Sequence, residues 1–160
     1  MAQESLQLTP YRPEFGLDVV RLWRQSFQRA MGLPEQNRFD EVLDQLRFLS
    51  TIDPARITAA IRPDSSSIIG FLAASGSELD HLYVHVDWQG QGIGSRLLEH
   101  AKAQSPGCLE LFTFAQNSKA QRFYLAHGFH EVRRGMAAPE DNPWASSPDQ
   151  LADILYRWER

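Results

Sequence analysis

The sequence predicts a mixed α/β fold: one mostly antiparallel sheet of about seven strands with helices on both faces. Apolar periodicity switches between two and 3.6 along the chain, giving the order βααβββαβαββ. A short turn-forming segment joins two central strands, which therefore read as a hairpin, and a second turn leads into the next strand. The 160 residues, with 42% hydrophobic content, suit a single domain spanning 1–160 around one core.

Residues 6–8 alternate apolar and polar side chains before Thr9-Pro10 closes the first strand. Over residues 17–31, Val19, Leu22, Trp23, Phe27, Ala30 and Met31 recur at helical spacing until Gly32-Leu33-Pro34. A second helix is expected over 39–49 through Val42, Leu43 and Leu46. Strands follow at 56–61 and 67–74, joined by the turn formers Arg62-Pro63-Asp64-Ser65. Ser75-Gly76-Ser77 turns the chain into a strand over 78–86. There Leu82, Val84 and Val86 alternate with Tyr83 and His85, and Glu78 and Asp80 share the parity of the first set.

Ile93, Leu97, Leu98 and Ala101 form the stripe of a third helix that Ser105-Pro106-Gly107 terminates. A strand over 109–114 precedes a helix over 117–127, where Ser118 and Gln121 have capping-box spacing and Gly128 suits the left-handed C-terminal position. The last strands, 131–136 and 154–158, are separated by 138–152. That segment contains Pro139, Pro143, Trp144 and Pro148, and connections of such length often carry function.

The net charge of −4 provides no basic footprint for a nucleic-acid partner. No apolar run approaches the roughly 20 residues of a spanning helix, and residues 1–10 lack the basic start and apolar centre of a signal peptide. A cytoplasmic protein with no membrane partner is expected. Cys108 is the only cysteine, so no intrachain disulfide forms, and its place at a strand edge reads as an inert thiol. His81 and His85 lie in a strand-like segment, and no metal site is expected.

The segment richest in chemistry is Gln89-Gly90-Gln91-Gly92-Ile93-Gly94, between a strand and a helix start. A helix leaves its first N–H groups unpaired and carries partial positive charge at that end. Glycines remove the Cβ atoms that would hold an anion away. This is a cradle for a phosphorylated cofactor.

Gln89-x-x-Gly92-x-Gly94, after Leu82-Tyr83-Val84-His85-Val86-Asp87-Trp88, resembles the Gln/Arg-x-x-Gly-x-Gly/Ala signature of the GNAT N-acetyltransferase superfamily. Asn117, Ala120, Phe123-Tyr124 and Gly128-Phe129 resemble that family's second recurrent segment. The resemblance covers about residues 68–135. It implies acetyl-CoA as acetyl donor, with the diphosphate over the amides of Gln91 to Ser95 (Gly90, Gly92 and Gly94 shaping the turn behind Gln89). The pantetheine arm would run beside Leu82, Tyr83 and Val84, and Asn117 would lie near it, where the motif strand and the next parallel strand splay apart. Tyr124 matches the family's frequent general acid and Glu78 the place of a catalytic glutamate, with Asp80 and His81 as competitors. Deprotonation through water is a further alternative. Direct transfer to a primary amine of a small molecule or protein is implied, since Cys108 lacks a nucleophile's setting.

By the same analogy the acceptor site lies opposite the cofactor, with Trp23, Phe27, Met31, Trp144 and Tyr156 available to line it. A closing tail strand could support a homodimer. One alternative is a non-catalytic acyl-CoA-binding module of the same fold. Another is a dinucleotide-dependent oxidoreductase, because Gly90-x-Gly92 follows a strand and Glu110 lies 20 residues beyond Gly90; there, however, Ser95 replaces the third glycine.

Overall fold

The computed structural model describes residues 6–62 and 64–160. Residues 1–5 and Pro63 of the expected turn lie outside the described residues. Seven strands form one sheet: β1 (Gln7–Pro10), β2 (Ile57–Ile61), β3 (Ile68–Ser75), β4 (Glu78–Val84), β5 (Cys108–Phe114), β6 (His130–Met136) and β7 (Ala152–Glu159). Their order across the sheet is β1-β2-β3-β4-β5-β7-β6. Every pairing is antiparallel except β4 with β5. Pro10 sits within β1, beyond the expected end of that strand, and an edge strand tolerates its missing N–H.

Helices α1 (Gly16–Ala30) and α2 (Phe39–Ser50) cover one face. Val19, Val20, Leu22 and Trp23 pack there with Leu49 on Ile57, Ala59, Phe71 and Ala73. Helices α3 (Ile93–Gln104) and α4 (Ser118–Ala126) cover the other, where Leu97, Leu98, Ala101 and Tyr124 meet Leu72, Leu79, Leu109 and Ile154. Leu97 and Leu98 are fully buried, each contributing about 1.5–3 kcal/mol by leaving water.

Three local expectations change. The register of β4 against β3 steps from Ala73↔His81 to Ala74↔Leu79, which leaves Asp80 as an extra, unpaired residue. Leu79 therefore packs in the same core as Leu82, although the two are three apart, and the parity assigned to Glu78 and Asp80 breaks at the bulge. Secondly, β4 stops at Val84, and Val86–Trp88 forms a 3-10 turn in place of continued strand. Thirdly, no Ser118/Gln121 capping box opens α4. Asn117 is the N-cap, its Oδ1 accepting from Ala120 N at 3.1 Å, while the Gln121 amide donates to the carbonyls of Phe114 and Ala115.

Candidate active site

The cradle forms as the glycine spacing requires. Gly90 and Gly92 have φ of 76° and 84°, in the left-handed region that other residues avoid, and Gly92 is the N-cap of α3 with no side chain capping the first turn. A Cβ on Gly94 would stand 3.4 Å from the Phe123 ring, so α3 and α4 pack here at van der Waals contact. Gln89 has a structural duty: its side-chain amide donates to the Val84 carbonyl at 3.0 Å and to Ser26 Oγ at 3.2 Å, and its oxygen accepts from Lys119. The loop is thereby tied to β4, α1 and α4 together. Gln91 is exposed. Ser95 lies 2.8 Å from His127 Nε2, whose Nδ1 is 2.7 Å from the Phe123 carbonyl. A carbonyl only accepts, so Nδ1 carries a proton there, and Ser95 and His127 Nε2 share a hydrogen bond.

Beside the cradle the sheet opens. Parallel β4 and β5 share one register pair, Glu78↔Glu110, and then part. His85 N donates to Ile69 on the β3 side, and backbone groups alternate along a strand, so Leu82 and Val84 turn their amides to the gap while Tyr83 turns its own away. The Tyr83 ring lies on the α1/α2 face, stacked on Trp23 and Phe71 with centroids 5.9 Å away in each case, and contributes to the cleft lining. Burial pushes its phenol up to about 12, with Trp23 acting in the opposite direction.

A cleft of about 760 Å³ runs through this gap, from Asn117, Ala120 and Tyr124 of the α4 side to Trp23, Phe27 and Phe48 of the α1/α2 side. Tyr124 is buried. Burial lifts its phenol well above the ordinary value of 10 and the neighbouring Tyr83 adds in the same direction, so it stays protonated throughout the physiological range. Asp80 and His81 line the cleft and Glu78 does not; Glu78 is exposed at the start of β4. Burial raises the Asp80 carboxyl, against the lowering effect of Arg56. It lowers the His81 imidazole to about 4, which leaves the ring neutral near pH 7.

Of the expected acceptor-side aromatics, Trp23, Phe27 and Trp144 line the cleft, and Trp144 stands edge-on to both Phe27 and Phe114. Met31 and Tyr156 are core residues instead: Met31 is buried at the end of α1, and Tyr156 packs in the α3/α4 core. Phe114 and Thr113 were absent from the expected set, because nothing within β5 marks which of its residues border a gap. Arg24 also escaped notice; it is held by Glu41, Gln45 and the Gln36 carbonyl at the mouth. Cys108 opens β5 outside the cleft lining.

An uncapped glycine-rich helix start stands next to a parted pair of parallel strands, with a buried tyrosine lining the gap, the arrangement expected of an acyltransferase from the resemblance noted above. A family model described as the acetyltransferase (GNAT) domain matches residues 56–131. The peptidyl-lysine N-acetyltransferase YjaB of Salmonella typhimurium is 31% identical over 145 residues, covering 91% of this chain and 94% of that protein. The chain belongs to the GNAT acetyltransferase family and is an N-acetyltransferase. The apo-form solution structure of YjaB from Escherichia coli has the same fold, with a TM-score of 0.72 at 21% identity over 96% of this chain and 97% of that one. So does PaiA N-acetyltransferase from Thermoplasma acidophilum in complex with coenzyme A, with a TM-score of 0.67 at 17% identity over 98% and 99% of the two chains. Among the described residues no helix is long and apolar enough to cross a membrane.

Proposed function

We propose that this enzyme transfers the acetyl group of acetyl-CoA directly to the side-chain amine of a protein lysine. The observation that carries the reading is the parting of β4 from β5 beyond Glu78↔Glu110, which leaves strand amides facing a gap that leads to an uncapped helix start. These residues fit coenzyme A. The first-turn amides of α3, at Ile93, Gly94 and Ser95, together with Gln91, would hold the diphosphate. Leu82 and Val84 would pair with the pantetheine amides as a neighbouring strand would, and Asn117 sits at the same opening. Bound there, acetyl-CoA supplies an acetyl group activated as a thioester.

The chain's own residues do the rest. Tyr124 holds its proton at the phenolic oxygen in the cleft and donates a hydrogen bond to the departing sulfur. Because its pKa is raised above that of a thiol, it stabilises the leaving group more by that bond than by full proton transfer. Asp80, turned into the cleft by the bulge, is the carboxylate best placed to draw the proton from the incoming ammonium, directly or through water. Glu78, outside the lining, is the second candidate.

The mouth suits a cationic acceptor: Glu41, Asp44, Asp80 and Asp141 line it, offset in part by Arg24 on Glu41, Arg47 on Asp44 and Arg56 near Asp80, and Phe27, Phe114 and Trp144 offer rings to an alkyl ammonium stem. The lysine assignment also draws on the relative's name. Isothermal titration with acetyl-CoA, followed by thiol-release assays with lysine peptides and free polyamines, tests the proposal. Saturable binding with turnover on lysine peptides is expected. Binding without turnover on any amine would leave a non-catalytic acyl-CoA module, and tighter binding of NAD than of acetyl-CoA would overturn the reading.

A further inference from the structure

Thr113 occupies an unusual position for a hydroxyl. It is 6% exposed, lies next to the C-terminal end of β5 beside the gap, and its Oγ1 has no hydrogen-bond partner among the described residues. Buried hydroxyls are normally paired, so an unpaired one beside a ligand cleft points to a partner that arrives with the ligand. The side chain keeps step with Leu109 and Leu111 and hence points to the α3/α4 face, where Tyr124 is packed. Thr113 and Tyr124 both line the cleft. On one side of β5, Thr113 pairs with Ile154 of β7; on the other, β4 has already diverged, and no strand covers it.

Its position along the gap selects which part of a ligand it meets. Thr113 lies three residues past Glu110, the last point at which β5 is paired with β4, and is thus level with His81 and Leu82. The phosphate cradle begins only after Val84. An arm that runs from the cradle along the gap therefore presents its far end, the sulfur, at the level of Thr113.

We propose that the Thr113 hydroxyl is a hydrogen-bonding contact for the sulfur-bearing end of coenzyme A, next to the Tyr124 phenol. This rests on the reading that coenzyme A occupies the cleft. Two hydroxyls at the sulfur divide the work of stabilising a departing thiolate, which matters here because the tyrosine is a reluctant acid.

Coenzyme A itself is the probe, titrated calorimetrically into wild-type protein, Thr113→Val, Thr113→Ala and Thr113→Ser, with thermal melts of each unliganded protein. Thr113→Val removes only an unpaired hydroxyl, so its unliganded melting temperature should equal or exceed that of wild type. It should bind coenzyme A about three- to tenfold more weakly, the worth of one neutral hydrogen bond. Thr113→Ala should show the same weakening, and Thr113→Ser should recover wild-type affinity to within about twofold. Undiminished binding by Thr113→Val, or a loss in Thr113→Ser as large as in Thr113→Val, would overturn the assignment. Failure of wild-type protein to bind coenzyme A would instead overturn the reading beneath it.

Discussion

Acidification should destabilise this enzyme through one identifiable side chain. His81 is enclosed by aromatic rings, with Trp23 4.6 Å away and Phe48 edge-on at 6.0 Å, and burial lowers its pKa from 6.5 to about 4. Between those values the unfolded chain holds a proton on this imidazole that the folded chain lacks, so stability rises with pH there. The stabilisation is complete above pH 6.5 and is lost as the pH falls towards 4. The interval is about 2.5 pH units, each worth about 1.4 kcal/mol, so the full loss is about 3–4 kcal/mol, of which about 3 kcal/mol has gone by pH 4. Urea denaturation of wild type and His81→Phe at pH 7, 5.5 and 4 measures it. The phenyl ring keeps the aromatic packing and has no proton to bind. Wild type should lose about 3 kcal/mol more than the variant between pH 7 and pH 4. Carboxylates away from the ring such as Asp153, which burial shifts upward, act in the opposite sense in both proteins and cancel in the comparison. Parallel pH profiles for the two proteins would refute the argument.

Tyr124→Phe should lower kcat by about 10²-fold while weakening coenzyme A binding by no more than Thr113→Val does, and single-turnover acetyl transfer at saturating donor checks the rate. Gln89→Ala removes the side chain that ties the cradle to Val84 and Ser26. Calorimetry should show weaker coenzyme A binding, and thermal melting a destabilisation of about 1–2 kcal/mol. Trp144→Ala should raise KM for lysine peptides several-fold while leaving donor affinity intact, since the ring lies with Phe27 and Phe114 on the acceptor side. Steady-state kinetics with each substrate varied in turn separates the two effects.

The parts of the site that were legible in the sequence are those whose cause is local. The glycines at 90 and 92 had to be glycine because the turn needs positive φ, and that requirement shows in six consecutive residues. Gly128 likewise followed from its place at the end of one helix, whereas Tyr124 entered as a site residue only through the resemblance of its segment. The bulge at Asp80 was hidden because register is a property of two strands: nothing in Glu78 to Val84 alone says that β3 skips one of its residues. Thr113 was hidden for a related reason, since its place beside a gap depends on the divergence of β4 from β5. Met31 and Tyr156 were assigned to the pocket by residue type, whereas strand parity and the end of α1 place both in the core. At α4, Ser118 offered a plausible capping pattern, but the oxygen of Asn117, one residue earlier, took that position.

A sheet that parts along its middle is open from both sides at once. The α3/α4 face offers one doorway and the α1/α2 face another, and the cleft joins them through the thickness of the sheet. Donor and acceptor can thus reside together, each arriving by its own route, with neither obliged to leave before the other enters. Such an architecture favours a ternary complex and sequential kinetics, and dispenses with any depot on the protein where the acyl group would have to wait.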